Sequence, residues 1–326
     1  MDSATQQHLA KLLEWAKIQS INDLNAESVD YLKYELKGRI PITQFRVRDH
    51  EYFKWRKEHP DVVDVEYDAP NAHVIIKATT SVLYDGALNA FERWFDKWSK
   101  EINADGSRGH YYCKTLIDLH LLGKYEDSEK QADVGLWKVG HRYPSVVVEV
   151  GINETLREDG KRWFEGTCGK TKRVILLNIT EEKRPDLSVK DQTWGLHAKQ
   201  LRTIEHDALT KQIYDWHEKH KIPLVGERFV FDLASLRPGG RITDAVFKAP
   251  IPHLKWQAPG RQSMQKTITV VLCDDEEDYE NPDNLTNDLS LTKLAYELDT
   301  VISMELPKER ASKIAWDYIV KRELEK

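Results

Sequence analysis

The chain has 326 residues, 40% of them apolar and 31% charged, with ten Trp and thirteen Tyr. That balance belongs to a soluble globular protein rather than a disordered one, and the length suggests two domains or one with large extensions. A net charge of -6 argues against a partner held by bulk positive charge but leaves room for a local basic groove. No run approaches the roughly 18 apolar residues of a membrane span, so no membrane partner is expected.

The N-terminus, MDSATQQHLAKLLEWAKIQS, lacks the charged, apolar and small-residue order of a signal peptide. It reads as an amphipathic helix with Leu9, Leu12, Leu13 and Trp15 or Ala16 on one side. Residues 1–58 read as helical, rich in charge and aromatics, and Pro60 punctuates their end. Two short strand-like segments follow, VVDVEYD (62–68) and HVIIKAT (73–79). Residues 81–101 give the clearest helix: Tyr84, Leu88, Phe91, Phe95 and Trp98 form one apolar stripe.

GHYYCKTLIDLHLLG then predicts a strand over 110–122, QADVGLWKV a second over 131–139 and PSVVVEVGI a third over 144–152. Thr155 and Glu158 have the capping-box spacing, so a helix should begin near Leu156 and stop near Gly166 or Gly169. KRVILLNIT (172–180) is a fourth strand, nearly all apolar and therefore central. EEKRPDLSVKDQTW (181–194) is the best linker. Beyond it come a helix over about 195–220, strand-like pieces in ERFVFDL, ITDAVFKA and KTITVVLC, an acidic run at 274–283 and a closing helix pair. The three cysteines, Cys113, Cys168 and Cys273, are far apart with no CxxC spacing. They suit a reducing interior, cytoplasmic or nuclear.

The chemistry concentrates in the second and third central strands. Val146, Val147 and Val148 run straight into Glu149, and a buried carboxylate needs a positive partner. Asp133 lies in the preceding strand. Consecutive short strands usually pair, so the two carboxylates can share one face. They repel each other unless a divalent cation lies between them, and Mg²⁺ or Mn²⁺ takes such ligands together with water and phosphate oxygens. A nearby lysine would add fixed positive charge at the transition state.

QADVGLW, PSVVVEVGINETLREDGKRWF and KRVILLNI resemble the PD-(D/E)XK nuclease superfamily. More narrowly, they resemble a bacterial family of restriction-endonuclease-like proteins that draw their lysine from the following helix. The resemblance covers about 62–182 and implies Asp133 and Glu149 as metal ligands, with Lys161 as the catalytic lysine. Two positions depart from the superfamily's pattern. Ala132 stands where Pro usually precedes the Asp, and Gly151 where the lysine usually follows the Glu. Lys170 and Lys172 are substitute lysines, and Glu92 on the first helix is a further carboxylate.

Other signals point elsewhere. EGTCGKTK (165–172) has a phosphate loop's look, but Phe164 stands where the loop needs Gly, and a helix precedes it. His217 and His220 in WHEKH are three apart, where the zinc pattern needs four. The acidic run lacks the Gly and terminal Glu of a calcium loop. Arg157, Lys161, Arg162, Lys170, Lys172 and Arg173, with Trp163 among them, form a candidate phosphate-contacting surface.

The expected fold is α/β: a central mixed sheet flanked by helices, restriction-endonuclease-like over 61–185. A helical extension over 1–60 precedes it, and an α+β region over 190–326 follows. The expected function is a metal-dependent nuclease acting on phosphodiesters, with Mg²⁺ or Mn²⁺ as cofactor. The expected partner is nucleic acid, DNA before RNA, with a second copy of the chain as a further one. The alternative is a catalytically degenerate member of the same fold that binds nucleic acid or protein, supported by Gly151 and Ala132.

Overall fold

A computed structural model describes residues 3–36, 38–78, 81–106, 109–152, 156–182, 206–226, 228–236, 242–252, 267–272 and 285–324. Three short helices open the chain: α1 (Ser3–Trp15), α2 (Ala26–Glu35) and α3 (Asp49–Glu58). Between the last two runs a strand that the charge-rich sequence conceals, β1 (Gly38–Ile42). It pairs antiparallel with β3 (His73–Ala78), which pairs with β2 (Val65–Asp68). Leu9, Leu13, Leu32, Tyr52 and Trp55 of the helices pack on Ile40, Val74 and Ile76 of these strands. The N-terminal extension, expected to be helical throughout, therefore supplies both the edge strand β1 and three helices that pack on the first strands of the sheet.

The long helix α4 spans Val82–Asp105. The Ser81 side chain caps it by accepting from Tyr84 N, and Gly106 ends it at φ 67°, the left-handed conformation that glycine takes at least cost. The expected stripe is buried, with Leu83, Ala87 and Ile102 added to it. Each large apolar side chain removed from water there contributes about 2 kcal/mol.

β4 (Tyr111–His120), β5 (Glu129–Lys138), β6 (Val146–Ile152) and β7 (Arg173–Glu182) follow, with α5 (Arg157–Gly166) between the last two. Thr155, the proposed cap of α5, lies outside the described residues. β6 and β7 are parallel, as a helical crossover demands, whereas β4, β5 and β6 are antiparallel neighbours. β7 is central, as its apolar run predicts. β8 (Arg228–Leu236) and β9 (Ile242–Pro252) continue the sheet beyond it.

The strand order is β1-β3-β2-β5-β6-β7-β8-β9, with β4 pairing on β5. The mixed sheet and flanking helices make this an α/β protein. α4 and the helix Leu291–Met304 cover one face, and α5 packs Trp163 and Phe164 on the other. β10 (Thr267–Leu272) and β11 (Leu285–Ser290) form a separate antiparallel pair. The helix His206–His220 packs against the last helix, Leu306–Leu324, through Leu209, Ile213, Ala311 and Ile314. The acidic run 274–283 and most of the expected linker lie outside the described residues. Among the described residues, no helix is long and apolar enough to cross a membrane.

Candidate functional site

The site arises where β5 changes partners. Along its C-terminal half β5 pairs with β6, as Leu136 with Val146, Gly135 with Val147 and Val134 with Val148. At its other end it meets β2, as Glu129 with Tyr67. Between these two pairings the strands part, and side chains replace the ladder. The Asp133 carboxylate accepts from Val150 N–H at 2.6 Å. The Glu66 carboxylate accepts from Gln131 N–H at 3.0 Å. Each carboxylate satisfies a buried backbone donor that a neighbouring strand would otherwise take.

The wedge is filled with charge. Lys77, from β3, donates to Asp133, and Tyr84 OH on α4 donates to the same oxygen at 2.7 Å. Glu149 accepts from the Trp163 indole N–H and lies 3.3 Å from Lys130 Nζ. Lys130 Nζ is also 3.6 Å from Asp159 and 5.3 Å from the centre of the Trp163 ring. Arg39, from β1, pairs with Glu66, reaches Asp159 at 2.7 Å and lies 3.7 Å from Glu149. Asp133 is fully buried, and Lys77, Glu66 and Glu149 are each 1% exposed.

Burial sets the protonation of these groups, and neighbours adjust it. Loss of solvation pushes the Glu149 carboxyl above its ordinary range, with Asp133 adding to the rise while Lys130, Lys77 and Arg39 oppose it. Loss of solvation also pulls Lys130 down to about 8, helped by Arg39. Glu149 and Asp159 oppose the fall, and Lys130 makes these ion pairs but no directed hydrogen bond among the described residues. Burial alone would depress Lys77, but Asp133 and Tyr84 hold it above an ordinary lysine. Burial would raise Asp159, and Arg39 and Lys130 instead hold it low.

Arg39, Lys77 and Lys130 thus face Glu66, Asp133, Glu149 and Asp159, one negative charge in excess when all are ionised. A proton on Glu149, the direction in which burial pushes it, makes the cluster neutral. Among the described residues, no three His, Cys, Asp or Glu side chains are arranged to hold a metal ion. Lys77 and Lys130 stand against the carboxylates where such an ion would lie, so the donor set does not fit a divalent cation in this arrangement. The cavity beside the cluster, lined by Glu66, Asp68, Tyr125, Lys130 and Arg162, holds about 10 Å³, the room of one water.

The structure therefore brings Asp133 and Glu149 to one wedge and leaves Lys161 out of it. Lys161 is exposed on α5 and paired with Glu158 at 2.7 Å. Glu92 is exposed on α4. The candidate basic surface is redistributed: Trp163 and Arg173 are buried and Arg162 pairs with Asp68 at 2.9 Å. His217 and His220 meet the carbonyls of Ile222 and Trp216 at the end of their helix.

Sequence reading missed Arg39, Glu66, Lys77, Lys130 and Asp159. Lys77 carried a signal, since it is the one charged residue in HVIIKA between buried apolar neighbours. No family model matches the chain, and no curated protein or solved structure matches it either.

Proposed function

We propose that the chain is a restriction-endonuclease-like module in which fixed cations stand where a catalytic metal would, and that it works by binding rather than by hydrolysis. The supporting observation is the closed, charge-balanced wedge. Lys77 takes Asp133, and Lys130, Arg39 and Trp163 take Glu149. A divalent ion there would add two charges to a buried cluster that is already near neutral, at a high desolvation cost. A phosphodiester is also far larger than the one-water cavity beside the cluster. Gly151 and Ala132, which depart from the superfamily's pattern, fit the same reading.

One observation favours a second reading, a metal-dependent nuclease. Asp133 and Glu149 do converge, and Lys77 supplies beside them the lysine sought from α5. In that reading Arg39 and Lys130 must withdraw from Glu149 before metal and DNA can enter, while Lys77 stays beside Asp133.

The deciding experiment incubates the full chain with single-stranded, duplex and circular DNA and with RNA, in EDTA, Mg²⁺ or Mn²⁺. Asp133→Asn and Glu149→Gln run alongside, each checked for folding. The binding reading predicts no metal-dependent cutting. Cutting that needs metal and disappears in both variants establishes the nuclease.

A further inference from the structure

The sheet end opposite the wedge has the reverse electrostatics. Three segments meet there: 109–117, 134–148 and 166–174. None contains Asp or Glu, in a chain with 54 acidic and 48 basic residues. They hold Lys114, Lys138, Arg142, Lys170, Lys172 and Arg173, with His110 and His141. The backbone binds them together. Val139 N–H donates to His110 O at 2.7 Å, and Lys172 N–H to Ser145 O at 2.9 Å. Tyr111 pairs with Lys138 and Val146 with Arg173 at the strand ends.

The cations at this end are held differently from those nearby. On and around α5, Lys124 pairs with Glu165, Lys161 with Glu158 and Arg162 with Asp68. Lys114 instead lies 5.2 Å from the Tyr112 ring centre, and Arg142 lies 5.3 Å from that of Tyr143. Tyr112 is itself stacked on Trp137, their ring centres 6.1 Å apart. Lys114, Arg142 and Lys170 are exposed and Lys172 is half-buried. Among the described residues no carboxylate pairs with any of the four. A ring holds a cation in place yet leaves its N–H groups available to an incoming anion.

We infer that this end of the sheet, formed by the start of β4, the β5–β6 turn and the approach to β7, is a docking surface for the phosphate backbone of nucleic acid. The four strand ends span about 14 Å at about 4.8 Å per strand. That width covers about four phosphates at 3.4 Å per nucleotide of one strand. A lipid surface fits less well. Membrane docking needs apolar insertion beside the charge, and the exposed large hydrophobic residues of the described part of these segments are two single side chains set apart along the strands, Val139 and Leu116. The interactions are with the backbone, so the binding is independent of base sequence.

This inference deepens the binding reading above and rests on it. The test is run in EDTA, so the two fail separately: metal-dependent cutting in the earlier assay defeats the earlier reading, and binding that is absent or indifferent to changes at this surface defeats this one. Fluorescence anisotropy measures the full chain on labelled duplex DNA, single-stranded DNA and RNA over a salt series. The variant is Lys114→Gln with Arg142→Gln, Lys170→Gln and Lys172→Gln. Lys161→Gln with Lys211→Gln is the control, since both of those lysines pair within their own helices.

Binding that weakens steeply with salt is expected, with unchanged affinity in the control. The fourfold variant should bind at least about tenfold more weakly at low salt. Its log–log salt slope on duplex should shrink by about 0.9 for each phosphate it no longer neutralises. No binding at low salt overturns the inference. So does affinity unchanged in the fourfold variant, or capture by phosphatidylserine vesicles with none by nucleic acid.

Discussion

Replacing Lys77 with Met keeps the unbranched stem of the side chain, one atom shorter, and removes its charge. Asp133 then retains the Tyr84 hydroxyl and the Val150 N–H but loses its ion-pair partner at a site with no exposure. Breaking a buried pair from one side costs about 3–5 kcal/mol, because the remaining charge is stranded. For a chain of 326 residues each kcal/mol lowers the melting temperature by about 1.5 °C, so a fall of at least about 4 °C is expected. Asp133→Asn strands Lys77 instead and should cost a similar amount. The double variant leaves no stranded charge and should cost about 3 kcal/mol less than the sum of the two. Urea denaturation followed by tryptophan fluorescence measures all three, with ten Trp as reporters. A cost below about 1 kcal/mol for Lys77→Met, or additivity within about 0.5 kcal/mol, refutes the idea that this pair balances the wedge.

Three further outcomes follow from the same cluster and its surroundings. Lys130 is pulled from 10.5 to about 8 in the folded chain. The unfolded chain therefore binds more protons between those values, and stability rises with pH across that window, by up to about 3 kcal/mol. Below it, the burial cost is present in full. Lys130→Met should remove this slope, and denaturation midpoints that keep it would show that another group titrates. Trp163→Phe keeps the ring over Lys130 but withdraws the N–H donated to buried Glu149, for an expected loss of about 1–3 kcal/mol in the same assay. A Cβ on Gly135 would lie 2.3 Å from the Trp137 ring. Gly135→Ala should therefore displace that ring, lowering stability by about 1–3 kcal/mol and altering the near-ultraviolet circular dichroism of the Tyr112–Trp137 stack.

Asp133 and Glu149 were legible because a carboxylate among Val, Ala and Gly breaks a strand's apolar run. Helix α4 and central β7 were legible from periodicity and from continuous apolarity. What answers the carboxylates was not. Lys77 lies 56 residues before Asp133, and nothing local records that β3 and β5 approach each other. Arg39 sits in a five-residue strand within a region whose charges and aromatics read as helix. The wedge itself depends on β2 inserting beside β5 at Tyr67 and Glu129, a long-range pairing without a short-range pattern. The aromatic and basic residues near α5 suggested a phosphate surface there. Amphipathic packing instead buries Trp163 and Arg173, and among the described residues Lys114, Arg142, Lys170 and Lys172 at the end of the strands away from the wedge pair with no carboxylate.

The central claim is that fixed cations, not a metal, face Asp133 and Glu149 in the wedge. Thermal unfolding of the full chain with and without millimolar Mg²⁺ or Mn²⁺ tests it most directly, since an ion bound only by the folded state stabilises it by mass action. The same melting temperature is expected under all three conditions, for wild type and for Glu149→Gln. A metal-dependent rise in wild type that is lost in both Asp133→Asn and Glu149→Gln would contradict the claim. Such a rise would place a divalent ion in the wedge.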